Sequence, residues 1–234
     1  MRPALVATSH GTSDPAGQAA IAALVDAVRE QLPGVDVHEA FVDVQSPRPD
    51  EVTATLGGRV TVVPLLLAPG FHARVDIARA ARAPESSAAA TLGPDRRLVA
   101  VLVRRLLESG VRDGDTLVLG AAGSHDPAAL ACFEQIARDL GAAVGQIVPI
   151  GYVGGNGRPL EDVVREARQA DRRVVVSSLL MAPGFFHGRL AVSGADVVTR
   201  PLLDGDPPDP RLVELVIDRH DAALTRFASA RSGG

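Results

Sequence analysis

Cysteine is almost absent: Cys132 stands alone in 234 residues. One thiol forms neither an internal disulfide nor a thiolate metal cage, and its scarcity suits a reducing compartment. Tryptophan is missing, and one Tyr and six Phe are the remaining aromatics, so the core must be built from Ala, Val and Leu. Basic excess is missing too, with 24 Lys+Arg against 28 Asp+Glu and a formal charge of −4. That balance argues against general nucleic-acid binding but leaves room for an acidic ligand in a locally basic pocket. No apolar run approaches the roughly 20 residues of a membrane span, and the opening "MRPALVATS" has no signal-peptide core. The expectation is a cytoplasmic protein with no membrane or nucleic-acid partner.

What the chain does have is a repeat. "SDPAGQAAI" from Ser13 pairs with "HDPAALACF" from His125, "LLAPGF" from Leu66 with "LMAPGF" from Leu180, and "PDRRLVAVLV" from Pro94 with "PDPRLVELVI" from Pro208. Three blocks in one order at nearly constant offset describe two related halves. The polar joint "ESGVRDGD" separates them, giving domains 1–112 and 113–234. Each half reads as strand, helix, strand, helix, strand, helix. In the first, "PALVAT" is a strand, and Asp14 caps a helix that begins at Pro15 and stops by Gly34. "VDVHEAFVDV" (35–44) is the second strand, "SPRPDEVTATL" begins a helix, and "RVTVVPLLLA" (59–68) is a strand apolar enough for burial on both faces. The fold class expected is α/β: two tandem, doubly wound parallel-sheet domains.

Open parallel sheets bind ligands beyond the carboxyl ends of their strands. Strand one there runs into Ser9, His10, Thr12 and Ser13, strand two reaches Asp43, and strand three runs into "APGFHAR" with His72 and Arg74. Two imidazoles and a carboxylate from three loops suit a borderline divalent ion such as Fe²⁺, Co²⁺, Ni²⁺ or Zn²⁺, in an open site through which the ion passes. Ser9, His10 and Asp14 supply the residue types of a hydrolase triad, but sequence neighbours seldom meet in that geometry. No Gly-x-Ser-x-Gly elbow, Walker A loop or Gly-x-Gly-x-x-Gly fingerprint is present. The Gly/Ser/Thr-rich loop could also hold a carboxylate on the N–H groups of the helix start. In the second half Ala122 falls opposite His10, and Val153 or Gly154 opposite Asp43. Only His187 survives, displaced by an extra Phe. His38, His125 and His220 read as surface or structural residues. The first domain is therefore expected to carry the metal site, with a degenerate second domain as the opposite wall.

"SHGTSDPAG", "AFVDVQSP" and "LLLAPGFHARVDI" together resemble the sirohydrochlorin chelatases, class II metal chelatases related to the cobaltochelatases of cobalamin synthesis and, more distantly, to protoporphyrin ferrochelatase. The resemblance implies ATP-independent insertion of Fe²⁺ or Co²⁺ into sirohydrochlorin, in siroheme or cobalamin biosynthesis, in a cleft between two similar α/β domains. It implies no cofactor beyond the metal substrate, with Ni²⁺ or Zn²⁺ as substitutes in vitro. The family's metal-site histidines fall on His10 and His72. Its strand-two acid, usually Glu, falls on Asp43, which is one methylene shorter. Sirohydrochlorin carries many carboxylates, so Ser9, Thr12, Ser13, the backbone of Gly70 and Phe71, and Arg74 are expected to line its site, with the Phe71 ring against the macrocycle. A monomer or a homodimer is expected. Two other classes compete: a non-catalytic tetrapyrrole or metal carrier, and a regulatory protein that binds a small anion.

Overall fold

The computed structural model describes residues 2–70, 73–168, 172–205 and 207–232. The elements run β1 (Ala4–Ser9), α1 (Pro15–Gln31), β2 (Asp36–Phe41), α2 (Pro49–Thr55), β3 (Val60–Pro64), a π-helical turn (Ala73–Ile77) continuing as α3 (Ala78–Ala80), and β4 (Ser86–Ala88). After α4 (Arg96–Glu108) come β5 (Thr116–Ala121), α5 (Pro127–Val144), β6 (Ile150–Tyr152), α6 (Leu160–Ala167), β7 (Val174–Leu179), α7 (Phe185–Ala191), β8 (Val197–Val198) and α8 (Pro210–Ser232). They form two parallel sheets, ordered β2-β1-β3-β4 and β6-β5-β7-β8. The α/β fold class is as the sequence implies. No described helix is long and apolar enough to cross a membrane.

Local chemistry explains the elements. All six residues of β1 are buried, as expected for a strand covered by helices on both faces. The Asp14 carboxylate caps α1 by accepting from the N–H groups of Ala16 and Gly17, with Pro15 in the first turn. Asp126 and Pro127 do the same for α5. The third repeated block shows equal fidelity. Asp95 accepts from the N–H and guanidinium of Arg97, and Asp209 from those of Arg211. Apolar residues at helical spacing on α1 (Ala20, Ile21, Leu24, Val25, Val28) are buried.

Three features depart from the sequence expectation. Each half has a fourth strand, β4 or β8, too short and too little buried to leave an apolar run. β2 ends at Phe41, because Phe41 donates to the Pro47 carbonyl (2.9 Å) and closes the intervening residues into a loop that includes Asp43. β3 ends at Pro64, where its pairing with β1 runs out. The chain also divides into compact units that differ from the sequence halves. Unit 1 comprises 1–92 with 207–234, and unit 2 comprises 93–206. The reason is the packing of each half's last helix. α8 packs on α1, β3 and β4, where buried His220 meets the Thr61 hydroxyl and Arg219 donates to the carbonyls of Thr91 and Leu92. α4 packs on α5 and β7, where buried Arg105 bonds the Leu202 carbonyl and pairs with Asp204 and Glu108.

Candidate functional site

In unit 1, α1 packs with α8, whereas α2 packs with the π turn and α3. The right-handed crossovers required by the strand order put α1 on one face of the sheet and α2 and α3 on the other. The chain thus leaves β1 and β3 toward opposite faces. The carboxyl ends of this strand pair are the switch point where such sheets bind ligands. The loop after β1 is at that point.

Beyond the strand ends, the loops after β1 and β2 continue the ladder. Val42 donates to the Ser9 carbonyl and Asp43 to the His10 carbonyl, each at 3.0 Å. The Thr12 N–H donates to the Gln45 side chain (2.9 Å), and the Arg48 guanidinium donates to the Val42 carbonyl. His10 and Asp43 are therefore held on one rung, both exposed at the rim. Gly11 makes the approach possible. Its φ is +87°, and a Cβ there would stand 2.3 Å from the Asp43 carbonyl oxygen. The Asp43 carboxylate accepts from the next N–H, that of Val44 (2.9 Å). Val44 has φ +56°, a left-handed conformation costly for a β-branched residue. It is also 59% exposed.

The other expected residues are distributed as follows. Ser9 is buried at the end of β1, Thr12 is half-buried and Ser13 is exposed. The Thr12 hydroxyl accepts from the Asp14 N–H (3.1 Å) and so shapes the turn. The N–H groups at the start of α1 that could have held a carboxylate are taken by Asp14 itself. Among the described residues, nothing lies within 4 Å of a Cβ placed on Gly70. Phe71, His72 and the side chain of Arg74 lie outside the described residues. Asp76, just beyond them, is buried and paired with Arg79, which also binds Asp50. Among the described residues, no three His, Cys, Asp or Glu side chains come together to hold a metal ion. Sequence reasoning missed Gly11, Val44, Gln45 and Arg48. A glycine directly after His10 was the available signal, whereas the Gln45 and Arg48 bonds span a loop and leave none.

Unit 2 repeats the backbone without the chemistry. Val153 donates to the Ala121 carbonyl (3.1 Å) as Val42 does to that of Ser9. This bond sets Ala122 opposite His10 and decides for Gly154 opposite Asp43. Gly123 matches Gly11, with φ +92° and a Cβ position 1.9 Å from the Gly154 carbonyl oxygen. Gly155 (φ +64°) takes the place of Val44. His187 sits on α7, and its Nε2 lies 3.1 Å from the Thr199 carbonyl, a bond the ring donates. Phe185 and Phe186 begin α7, exposed.

The CbiX family model matches residues 4–109 and 116–203. Among solved structures, SirB from Bacillus subtilis with Fe³⁺ superposes with a TM-score of 0.79 at 20% identity, over 100% of this chain and 98% of that one. The sirohydrochlorin chelatase SirB from Bacillus subtilis subspecies spizizenii in complex with cobalt gives 0.77 at 20% identity, over 96% of each chain. CbiX, described as the terminal enzyme for biosynthesis of siroheme in denitrifying bacteria, gives 0.70 at 22% identity, over 95% and 99%. At such identities these likenesses establish the shared fold. No curated protein matches the sequence.

Proposed function

Because the chain belongs to the CbiX family, we propose that it is a sirohydrochlorin chelatase, inserting Fe²⁺ or Co²⁺ into the macrocycle without ATP. One observation in the fold carries the reading. His10 and Asp43 emerge on a single hydrogen-bonded rung at the carboxyl rim of unit 1, beside its switch point. The names of its structural neighbours, a chelatase with iron or cobalt and a siroheme-forming enzyme, support the same reading.

The chemistry asks little of the protein, but in a fixed geometry. Metallation exchanges two pyrrole N–H protons for one M²⁺, so the site must loosen the ion's waters and remove two protons. A neutral imidazole at His10 offers a lone pair to the ion and, once the ion has moved into the ring, a place for a proton. The Asp43 carboxylate one rung away orients that imidazole or takes the second proton. His72 is proposed as the second ligand, with the rest of the 70–74 loop, Thr12 and Ser13 meeting the substrate's carboxylates, while buried Ser9 serves the rim through its carbonyl, which accepts from Val42. The N-terminal repeat carries the site, and the protein works in the cytoplasm, where iron is kept as Fe²⁺, as a monomer or homodimer.

An anaerobic assay with sirohydrochlorin and either metal, followed by absorbance, tests the proposal. Metallation above the protein-free rate is expected. Binding without acceleration would make the protein a carrier, and no binding would reject the tetrapyrrole altogether.

A further inference from the structure

Aromatic side chains are rare here, and those of Phe41, Phe133 and Tyr152 are buried. Phe185 and Phe186 are different: 74% and 42% exposed, adjacent, with ring centroids 5.4 Å apart and edge to face. A single exposed Phe needs no explanation, but two together in a chain with so few form a patch that does. They follow β7 at the switch point of unit 2, where the chain leaves β5 and β7 toward opposite faces. They also stand on the counterpart of the metal rim. A Cβ on Gly154 would lie 3.9 Å from the Phe186 ring and 3.3 Å from the Ala122 carbonyl oxygen. The positions equivalent to His10 and Asp43 have thus lost their polar groups, and an aromatic ring lies beside the gap.

We propose that Phe185 and Phe186, the latter beside Gly154 of unit 2, form a stacking platform for one face of the tetrapyrrole macrocycle. The inference rests on the substrate reading above. A conjugated planar ring presents a π face that offset or edge-on aromatics hold well. Charge complements it. Arg189 is three residues beyond Phe186 and four beyond Phe185, on the same side of α7. It is half-exposed and reaches Glu161 only at 3.8 Å, which leaves it able to turn to a substrate carboxylate.

Sirohydrochlorin binding, read by its fluorescence or absorbance, and steady-state metallation are to be compared in the parent, Phe185→Ala, Phe186→Ala, Phe186→Leu and Phe186→Tyr. Each loss of a ring should raise Kd and KM about 2- to 10-fold with kcat nearly unchanged. Phe186→Leu keeps apolar volume and should still show the loss, whereas Phe186→Tyr should restore parental values. Active variants with parental Kd and KM would overturn the platform and leave the chelatase reading intact. A parent that neither binds nor metallates sirohydrochlorin would overturn both. If the Ala variants instead lost self-association at constant KM, the pair would be a contact between copies of the chain and the platform would be rejected.

Discussion

The two rims have nearly the same backbone and opposite chemistry. Each first strand ends in a carbonyl that receives the next loop's N–H, and each is followed two residues on by a glycine with φ near +90°. Each helix is then capped by an Asp-Pro pair. On this common frame unit 1 carries His10 and Asp43, and unit 2 carries Ala122 and Gly154. The frame is fixed by steric needs that tolerate almost no substitution. The side chains projecting from it meet no such limit, so a duplicated chain can empty one site and still fold. The one backbone position where the rims differ in cost is instructive. Unit 2 uses Gly155 in the left-handed region, whereas unit 1 holds Val44 there beside Asp43. Strain of this kind, of order 1–3 kcal/mol, persists where surrounding structure imposes it and tends to cluster at working sites.

The strongest way to break the comparison is to make the rims chemically alike. His10→Ala gives unit 1 the alanine found in unit 2, and turnover should fall roughly 10²–10⁴-fold, the usual loss of a placed acid–base group. The melting temperature should scarcely change, because the side chain is exposed. Asp43→Asn is milder. The amide oxygen can still accept from the Val44 N–H, so the loop should hold while the charge disappears. If Asp43 orients the imidazole, a loss of about 10- to 100-fold is expected. Anaerobic turnover together with circular dichroism checks both, and near-parental turnover in folded His10→Ala would remove that residue from the mechanism.

The next effect separates frame from chemistry. Gly11→Ala and Gly123→Ala each force a Cβ into a left-handed residue and against a carbonyl oxygen, at 2.3 Å and 1.9 Å. Both should lose about 2 kcal/mol or more of stability, measured by urea unfolding. Only Gly11→Ala should also lower kcat, since it parts the rung that joins His10 to Asp43. Equal losses of kcat would mean that unit 2 takes part in the chemical step.

Much of this contrast was legible in the sequence, for physical reasons that can be named. Asp-Pro before a periodic apolar run is a local signal, and α1 and α5 begin where it stands. Apolar strands buried on both faces announce a parallel sheet, and the carboxyl-rim rule then selects His10 and Asp43 without any metal motif. Non-local facts were illegible. Nothing in "PDRRLVAVLV" or "PDPRLVELVI" tells which sheet the helix will cover, so α4 and α8 could be paired as repeats but not assigned to units 2 and 1. The choice between Val153 and Gly154 needed a hydrogen bond from Val153 to Ala121, which a gapped alignment does not contain. The short edge strands β4 and β8 are made by their neighbours, and their own two or three residues carry no period.

The smallest expected effect distinguishes the units by their response to acid. In unit 1, burial holds the His220 imidazole pKa below its ordinary value, partly offset by nearby Asp221. The ring is nearly inaccessible and bonded to Thr61. The unfolded chain then binds a proton that the folded chain refuses, so stability is complete above the ordinary histidine pKa, about 6.5, and declines as pH falls through it toward the lower folded value. In unit 2, Glu108 is held down to about 2, first by its hydrogen bond to Arg105 and then, against some desolvation, by Arg104. Its contribution is complete above about 4.5, the ordinary value, and is lost only between there and about 2. Asp115, held low chiefly by Arg173, follows the same direction. Half-buried Glu39 in unit 1 has a pKa raised chiefly by desolvation and works the opposite way. The difference between parent and variant, rather than the parent's own curve, therefore isolates each group. Melting temperatures across pH should show His220→Gln flattening the decline that starts below about pH 6.5. Glu108→Gln should act only in the more acidic window. Parallel curves for parent and His220→Gln would show that the α8 contact with Thr61 is indifferent to protonation, and the acid response would then no longer distinguish the two units.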